Sequence, residues 1–401
     1  MTLLRNIGVV TILWTASAHA TEFQFHGYVD GRVISTPDDQ SWMDGGFGKF
    51  RYGSNDGETA VKFAEAVGEA SIRFAPELSL TTVGRITPEG KSAFQITEAY
   101  FKYKPVSTTP WRWSLKGGAF FPPVSLENTE VGWTSPWTLT PSAVNTWIGE
   151  ELRAIGGAAA VEYRWTDGSS LSVEGSVFGW NDPAGILVQF RGWAMHDRVT
   201  GLWEKPRLPD ALAAEYGRPI PWNTPMFKEI DNSPGWYLAA DWRNRHFGHL
   251  NAMRYDNEAD PTAFDDGTIA WRTEFWSAGY ENTFGPITVI AQGLTGETEF
   301  DPFVPFTTDI ESGFVLIGLT LDQWRFAARV DGFESSDRFS PQEYGESGHA
   351  YTVAANWEPR QWLRLTAEGL RILADRPLRE DAGLPDESDD TQLQLSVRLY
   401  H

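Results

Sequence analysis

Apolar and polar residues alternate with a period of two through segments of about ten residues, and clusters of Gly, Pro, Asn and Asp end each one. The last segment is the cleanest. Leu393, Leu395, Val397 and Leu399 share one face, and Gln392, Gln394, Ser396 and Arg398 share the other. Trp324, Phe326, Ala328 and Val330 likewise oppose Arg325, Arg329 and Asp331. Sixteen such segments run from Phe23–Ser35 to Thr391–Tyr400, and they include Glu151–Trp165, Trp271–Thr283 and Gly313–Leu321. A strand of about ten residues, tilted by about 40°, rises through roughly 25 Å, the height of the apolar band on a membrane barrel. The expected fold is all-β: a transmembrane antiparallel β-barrel of about 16 strands.

The connections alternate in length, as a barrel with short turns at one rim and long loops at the other requires. Short links fall at Pro76-Glu77, Thr166–Gly168, Phe284–Pro286, Asp322 and Glu358–Arg360. Long ones intervene at Thr36–Val61, Pro122–Glu150, Asn181–Gly235, Thr298–Ser312, Glu334–His349 and Ala374–Asp390. The link Pro88–Ala93 is short where a long loop is expected. An even number of strands puts both chain ends at the rim with short turns.

Composition narrows the function classes. Arg5 precedes the apolar stretch Ile7–Ala16, and Ala18-His19-Ala20 offers small residues to a signal peptidase, so residues 1–20 read as a signal peptide and the mature chain begins at Thr21. Export to the cell outer membrane is expected. No later apolar run reaches the roughly 20 residues of a spanning helix. Cysteine is absent, which excludes disulfides and thiolate chemistry. The net charge of −21 argues against nucleic acid as a partner. Nineteen Trp residues exceed the needs of one core, and Trp111, Trp113, Trp165, Trp236, Trp242, Trp271, Trp324, Trp357 and Trp362 fall near strand ends, where indoles settle at headgroup level. Exposed platforms for carbohydrate are the competing use of such residues. The acids at Asp38-Asp39, Asp265-Asp266 and Glu380–Asp390 read as solvated loop surface or as divalent-cation bridges to lipopolysaccharide.

The stretch Gly118-Ala119-Phe120-Phe121-Pro122-Pro123-Val124-Ser125-Leu126-Glu127 resembles a signature of phosphate-selective and polyphosphate-selective porins, and Ser142–Asn145 and Arg153–Gly156 are similar to segments of that family on the carboxyl side of the signature. The resemblance covers about forty residues. It implies a sixteen-stranded barrel, often a trimer, with a constricted anion path. Residues 122–150 form the third external loop, the one that folds inward in sixteen-stranded diffusion porins, and the alternative is that it caps the outside. Pro122-Pro123 suit the end of a strand because neither donates to the ladder. Glu127 and Glu130 on that loop would face inward-parity cations: Arg32, Arg73, Arg112, Lys116, Arg272, Arg325, Arg329 and Arg364. A water-filled lumen would solvate these charges, whereas a dry core would not tolerate them unpaired. The expected partners are outer-membrane lipid and small hydrophilic solutes, with no catalytic residues, cofactor or metal. Two alternatives stay open. A secreted carbohydrate-active enzyme needs only two carboxylates at the right spacing, yet no G-x-S-x-G or H-E-x-x-H occurs. A non-conducting barrel, acting as adhesin or assembly partner, would use the long external loop 181–235 to bind a partner or to gate or plug the mouth, and the same loop could equally pack between subunits.

Overall fold

The computed structural model describes residues 22–54, 56–89, 93–301, 306–338 and 345–401. The expected signal peptide, 1–20, lies outside them. The first strands are β1 (Glu22–Ser35), β2 (Thr59–Ala75), β3 (Leu78–Ile86), β4 (Phe94–Tyr103) and β5 (Trp111–Phe120), followed by helix α1 (Ala143–Glu151). Next come β6 (Ala154–Arg164), β7 (Ser170–Gly179), the short helices α2 (Ile186–Phe190) and α3 (Asp210–Glu215), β8 (Gly235–Asn244) and β9 (Gly248–Asp256). A small hairpin, β10 (Phe264–Asp265) and β11 (Thr268–Ile269), precedes β12 (Arg272–Phe284), β13 (Ile287–Phe300) and β14 (Phe306–Leu321). The chain ends with β15 (Trp324–Asp337), β16 (Glu346–Arg360), β17 (Leu363–Asp375) and β18 (Glu387–Tyr400).

All strands but β10 and β11 form one closed antiparallel barrel in which each pairs with its sequence neighbours and β1 closes on β18. Tyr28 pairs with Tyr400 at the seam, and Ser35 with Leu393. Closure leaves no edge strand, so every ladder is complete. The short turns need few residues because Gly285 (φ 61°) and Asp322 (φ 52°) enter the left-handed region, which Gly and Asp tolerate.

The apolar face points outward. Leu393, Leu395, Val397 and Leu399 are 47–58% exposed, whereas Gln392, Gln394, Ser396 and Arg398 between them are buried. The same sense holds in β15, where Val330 is exposed and Arg329 and Asp331 are buried. Several boundaries differ from the periodicity. Glu151 ends α1, so β6 starts only at Ala154. The fourteenth strand begins at Phe306 rather than Gly313, because its outward residues Thr307, Asp309 and Glu311 stand above the apolar band and carry no alternation. Trp271, expected at a headgroup rim, is instead fully buried beside Phe190 and Phe300.

The lumen holds the core. A cluster of buried residues joins inward side chains of the wall, including Phe178, Tyr255, Phe275 and Phe333, to Val144, Trp147, Ile148, Trp193 and Met195 of the connecting segments. Those segments occupy the space that an empty cylinder would leave to water.

Candidate functional site in the barrel lumen

The chain leaves β5 at Pro122-Pro123 and crosses to the far wall. Leu126 and Trp137 pack with Ile290, Phe314 and Leu316 of β13 and β14. Glu127 pairs with Arg329 of β15 at 2.6 Å. Glu130 takes two bonds from the Arg364 guanidinium of β17, at 2.7 and 2.8 Å, and lies 3.7 Å from Arg325. The Glu368 carboxylate accepts from the backbone N–H of Leu139 at 2.6 Å and of Thr140 at 3.2 Å. Helix α1 then starts at Ser142, whose hydroxyl accepts from the Asn145 N–H at 3.3 Å, an ordinary N-cap. Ala143 N–H donates to Asp331 at 3.2 Å, and every residue of α1 is buried.

The wall cations therefore do not stand in open water. Arg32 pairs with Asp30 at 2.8 Å and with Asp197 at 2.6 Å, while Arg398 adds a second bond to Asp30 at 2.9 Å. Arg329 is shared between Glu127 and Asp331, and donates to the Thr140 and Pro141 carbonyls at 2.8 and 3.0 Å. Arg32, Arg329 and Arg364 are buried, which corrects the expectation of a solvated lumen at these positions. Burial is tolerable because each guanidinium meets a carboxylate: Arg364 bonds Glu358 and Glu130, Arg32 adds the Gln394 amide oxygen at 3.0 Å, and Arg329 adds backbone carbonyls.

The other candidates scatter. Arg73 pairs with Glu22 at 2.7 Å near the turn-side rim, where both are half-exposed. Arg325 pairs with Glu358 at 2.6 Å, and Lys116 lies 3.5 Å from Glu174. Among the described residues Arg112 makes no ion pair. Arg272 departs from its expected place: it shares a face with exposed Trp276 and points away from the lumen, beside Asp256 at 3.1 Å and Glu274 at 3.8 Å. Parity misleads there because β12 carries polar residues on both faces above the apolar band.

Periodicity does not single out the segment 181–201, which enters the barrel beside α1 and is buried throughout. Glu151 organises the contact, its carboxylate accepting from Gly185 N–H at 2.6 Å, Val188 N–H at 2.9 Å and Trp147 Nε1 at 2.9 Å. Burial nevertheless pushes its pKa up to about 7. Its neighbour Glu150 is buried too, but Arg191 and His196 hold it at about 2. Burial lowers His196, and Arg32 with Arg51 keep Asp197 far below the usual carboxylate range despite its burial. Lys49 of the first loop pairs with Glu346, which also receives Arg376 at 2.8 Å.

Aromatic rings pack against one another in the half of the lumen nearer the long loops. Phe178 stacks on Tyr255 at 5.2 Å, Tyr255 on Phe275 at 4.9 Å, and Trp147 bridges Phe275 at 5.5 Å to Trp193 at 6.0 Å. The sequence does hold a signal: Ala184–Phe190 is an apolar run inside a stretch otherwise read as external loop.

Toward the short turns the lumen opens along β2 to β9. Glu69, Lys102, Arg112, Lys116 and Glu174 are only half-buried there. A recess of about 590 Å³ lies under the third loop, lined by Leu126, Glu162, Arg164, Asp241, Arg243 and their neighbours. Among the described residues, Lys102, Arg112 and Arg243 are cations of this open sector without an ion pair.

No protein-family model and no curated protein matches this chain. Solved structures match its fold over nearly its whole length. The outer membrane channel DcaP of Acinetobacter baumannii is 9% identical, with 97% of this chain and 99% of that chain covered, at a TM-score of 0.55. The anion-selective porin from Comamonas acidovorans is 10% identical over 95% of this chain and 100% of its own, at 0.51. The trimer form of the outer membrane protein OmpT of Vibrio cholerae is 11% identical over 96% and 100%, at 0.52. The chain thus has the closed sixteen-stranded fold of outer-membrane porins and channels.

Proposed function

We propose that this protein is an outer-membrane channel through which small hydrophilic solutes pass by diffusion. The observation that carries this reading is the inversion of the barrel, with apolar side chains outward and charged ones inward. Such an outer face is stable only against hydrocarbon. The fold shared with the channel DcaP and the Comamonas anion-selective porin supports the same role, and the trimer form of Vibrio OmpT supports a homotrimer. Lipid and lipopolysaccharide are the proposed surroundings, met by the apolar belt and by the outward acids Glu311 and Glu334 above it.

The third loop, with Glu127 and Glu130, is proposed as the constriction. Its pairs with Arg329 and Arg364 shape the passage rather than sort ions, since a neutralised pair offers little field to a passing solute. Selectivity for anions such as phosphate would rest on Lys102 and Arg112, which keep free charge on the open wall.

A second reading has its own support. Residues 181–201 are buried inside the half of the lumen nearer the long loops, and a barrel filled in this way would pass little current, as expected of one that is closed or serves as a partner for assembly. Planar-bilayer recording of the purified protein separates the readings. A conducting channel gives discrete steps in KCl, and Lys102→Gln with Arg112→Gln moves its reversal potential in a salt gradient toward cation preference. An absence of steps from correctly folded protein rejects the open channel.

A further inference from the structure

The recess under the third loop is walled by two cross-strand rows in register across β6, β7, β8 and β9. Glu162 pairs with Ser172, Ser172 with Asp241, and Asp241 with Asn251. Two residues nearer the short turns, Arg164 pairs with Ser170, Ser170 with Arg243, and Arg243 with His249. The first row presents oxygen acceptors, including two carboxylates. The second presents two guanidinium groups. Two residues of strand separate them, about 6.5 Å along the wall.

Two links already join the rows, Arg164 to Glu162 at 2.6 Å and His249 to Asp241 at 2.6 Å. One group of each kind is left over. Arg243 is exposed to the lumen and makes no ion pair among the described residues. Asn251 is 5% exposed, donates through Nδ2 to the Pro123 carbonyl at 3.0 Å, and has no donor for its buried Oδ1. The bond to Pro123 fixes the orientation of the amide, and Asn251 is one of the residues that line the recess. A buried acceptor left unmet keeps its full desolvation penalty, so the position suits a donor supplied from outside the chain. Arg243 and Asn251 sit on adjacent strands, offset by two residues, a diagonal of about 8 Å between their backbones.

We infer that this recess is a binding site for small zwitterions of amino-acid size, carboxylate on Arg243 and ammonium on Asn251 Oδ1 with the acidic row behind it. The inference rests on the reading of the lumen as a solute path and names the class of solute held there. A lone anion at Arg243 meets Asp241 and Glu162 across the row, and a lone cation at Asn251 meets Arg243 and Arg164. Only a solute carrying both charges in the right order satisfies both rows. The carboxylate end points to the short turns, so the site orients its ligand along the barrel axis beneath the third loop.

The test is an equilibrium titration of the full-length mature protein in detergent, with saturation-transfer NMR as the readout. The probes are glycine and 4-aminobutyrate, with acetate, methylammonium and inorganic phosphate as controls. The zwitterions are expected to bind at least tenfold more tightly than any control. Arg243→Gln is expected to lower their affinity at least tenfold, and Arg243→Lys to restore part of it. Equal binding of zwitterions and controls, tighter binding of phosphate, or an Arg243→Gln protein that binds as the parent does would each overturn the site. Bilayer conductance in KCl is measured on the same preparation. Its absence would reject the channel while the titration still decides the site, and a conducting protein without zwitterion preference would reject the site alone.

Discussion

Arg329→Met would leave Glu127 and Asp331 facing each other in a buried pocket without their cation. Removing one partner of such a group costs about 3–5 kcal/mol, so the variant is expected to unfold at markedly lower temperature by circular dichroism. Its reversal potential should stay near that of the parent, because Arg329 spends its charge on the third loop. At Glu151 the expectation concerns pH. Its folded pKa of about 7 lies above the ordinary glutamate value near 4.5, so the folded state holds the extra proton. The stability it contributes is complete below about pH 4.5 and is lost as pH rises toward 7. Glu150, held at about 2 by Arg191 and His196, acts in the opposite sense: the stability it contributes is complete above about pH 4.5 and is lost only as pH falls toward 2. His196, lowered by burial, opposes Glu151 near its own titration range, and Asp182, also pushed up to about 7, adds to it. The difference between parent and Glu151→Gln isolates the single group: the gap in melting temperature between pH 5 and pH 7.5 should change in the variant. An identical gap would remove Glu151 from this role.

At the scale of elements, the strands and the inserted segments are held by different physics. Strands need only complete ladders and an apolar outer face, and β15 or β18 satisfies both from local sequence. The inserted segments depend on partners far along the chain. Thr308 Oγ1 donates to Gln189 Oε1 at 2.5 Å, Asn181 Nδ2 to the Glu151 carbonyl at 2.7 Å, and Trp193 Nε1 to the Glu334 carbonyl at 3.1 Å. Replacing residues 186–200 by a short Gly-Ser bridge should therefore leave the barrel closed, with its far-ultraviolet dichroism preserved. Single-channel conductance is expected to rise several-fold as Tyr255, Phe275 and Phe333 meet water. Unchanged conductance would show that flow is limited elsewhere, at the third loop.

For the whole molecule, the outward belt dictates extraction and migration. The protein is expected to require detergent, and unboiled samples should run at a different apparent mass from boiled ones on gels, since a closed barrel resists unfolding by the detergent alone. A homotrimer adds a slower unboiled band that chemical cross-linking turns into a covalent species of three chains. Solubility without detergent would reject the membrane reading altogether.

Sixteen strands, their antiparallel order and the outward sense of Leu393 to Leu399 are legible in the sequence, because alternation is a property of two neighbouring residues and needs no distant partner. Alternation fades where strands rise above the lipid, and for that reason it misplaces the start of β14 and the direction of Arg272. The Pro122-Pro123 break and the carboxylates beyond it are legible too, as the start of a loop with acid to place. Only the tertiary structure decided which cations those acids neutralise, since Glu127 and Arg329 are 202 residues apart. It alone brought 181–201 into the lumen and turned an expected water path into a packed half and an open half. Strand pattern is set by the solvent on each face, but the filling of a cylinder depends on which loops fit inside it together, and no local period encodes that fit.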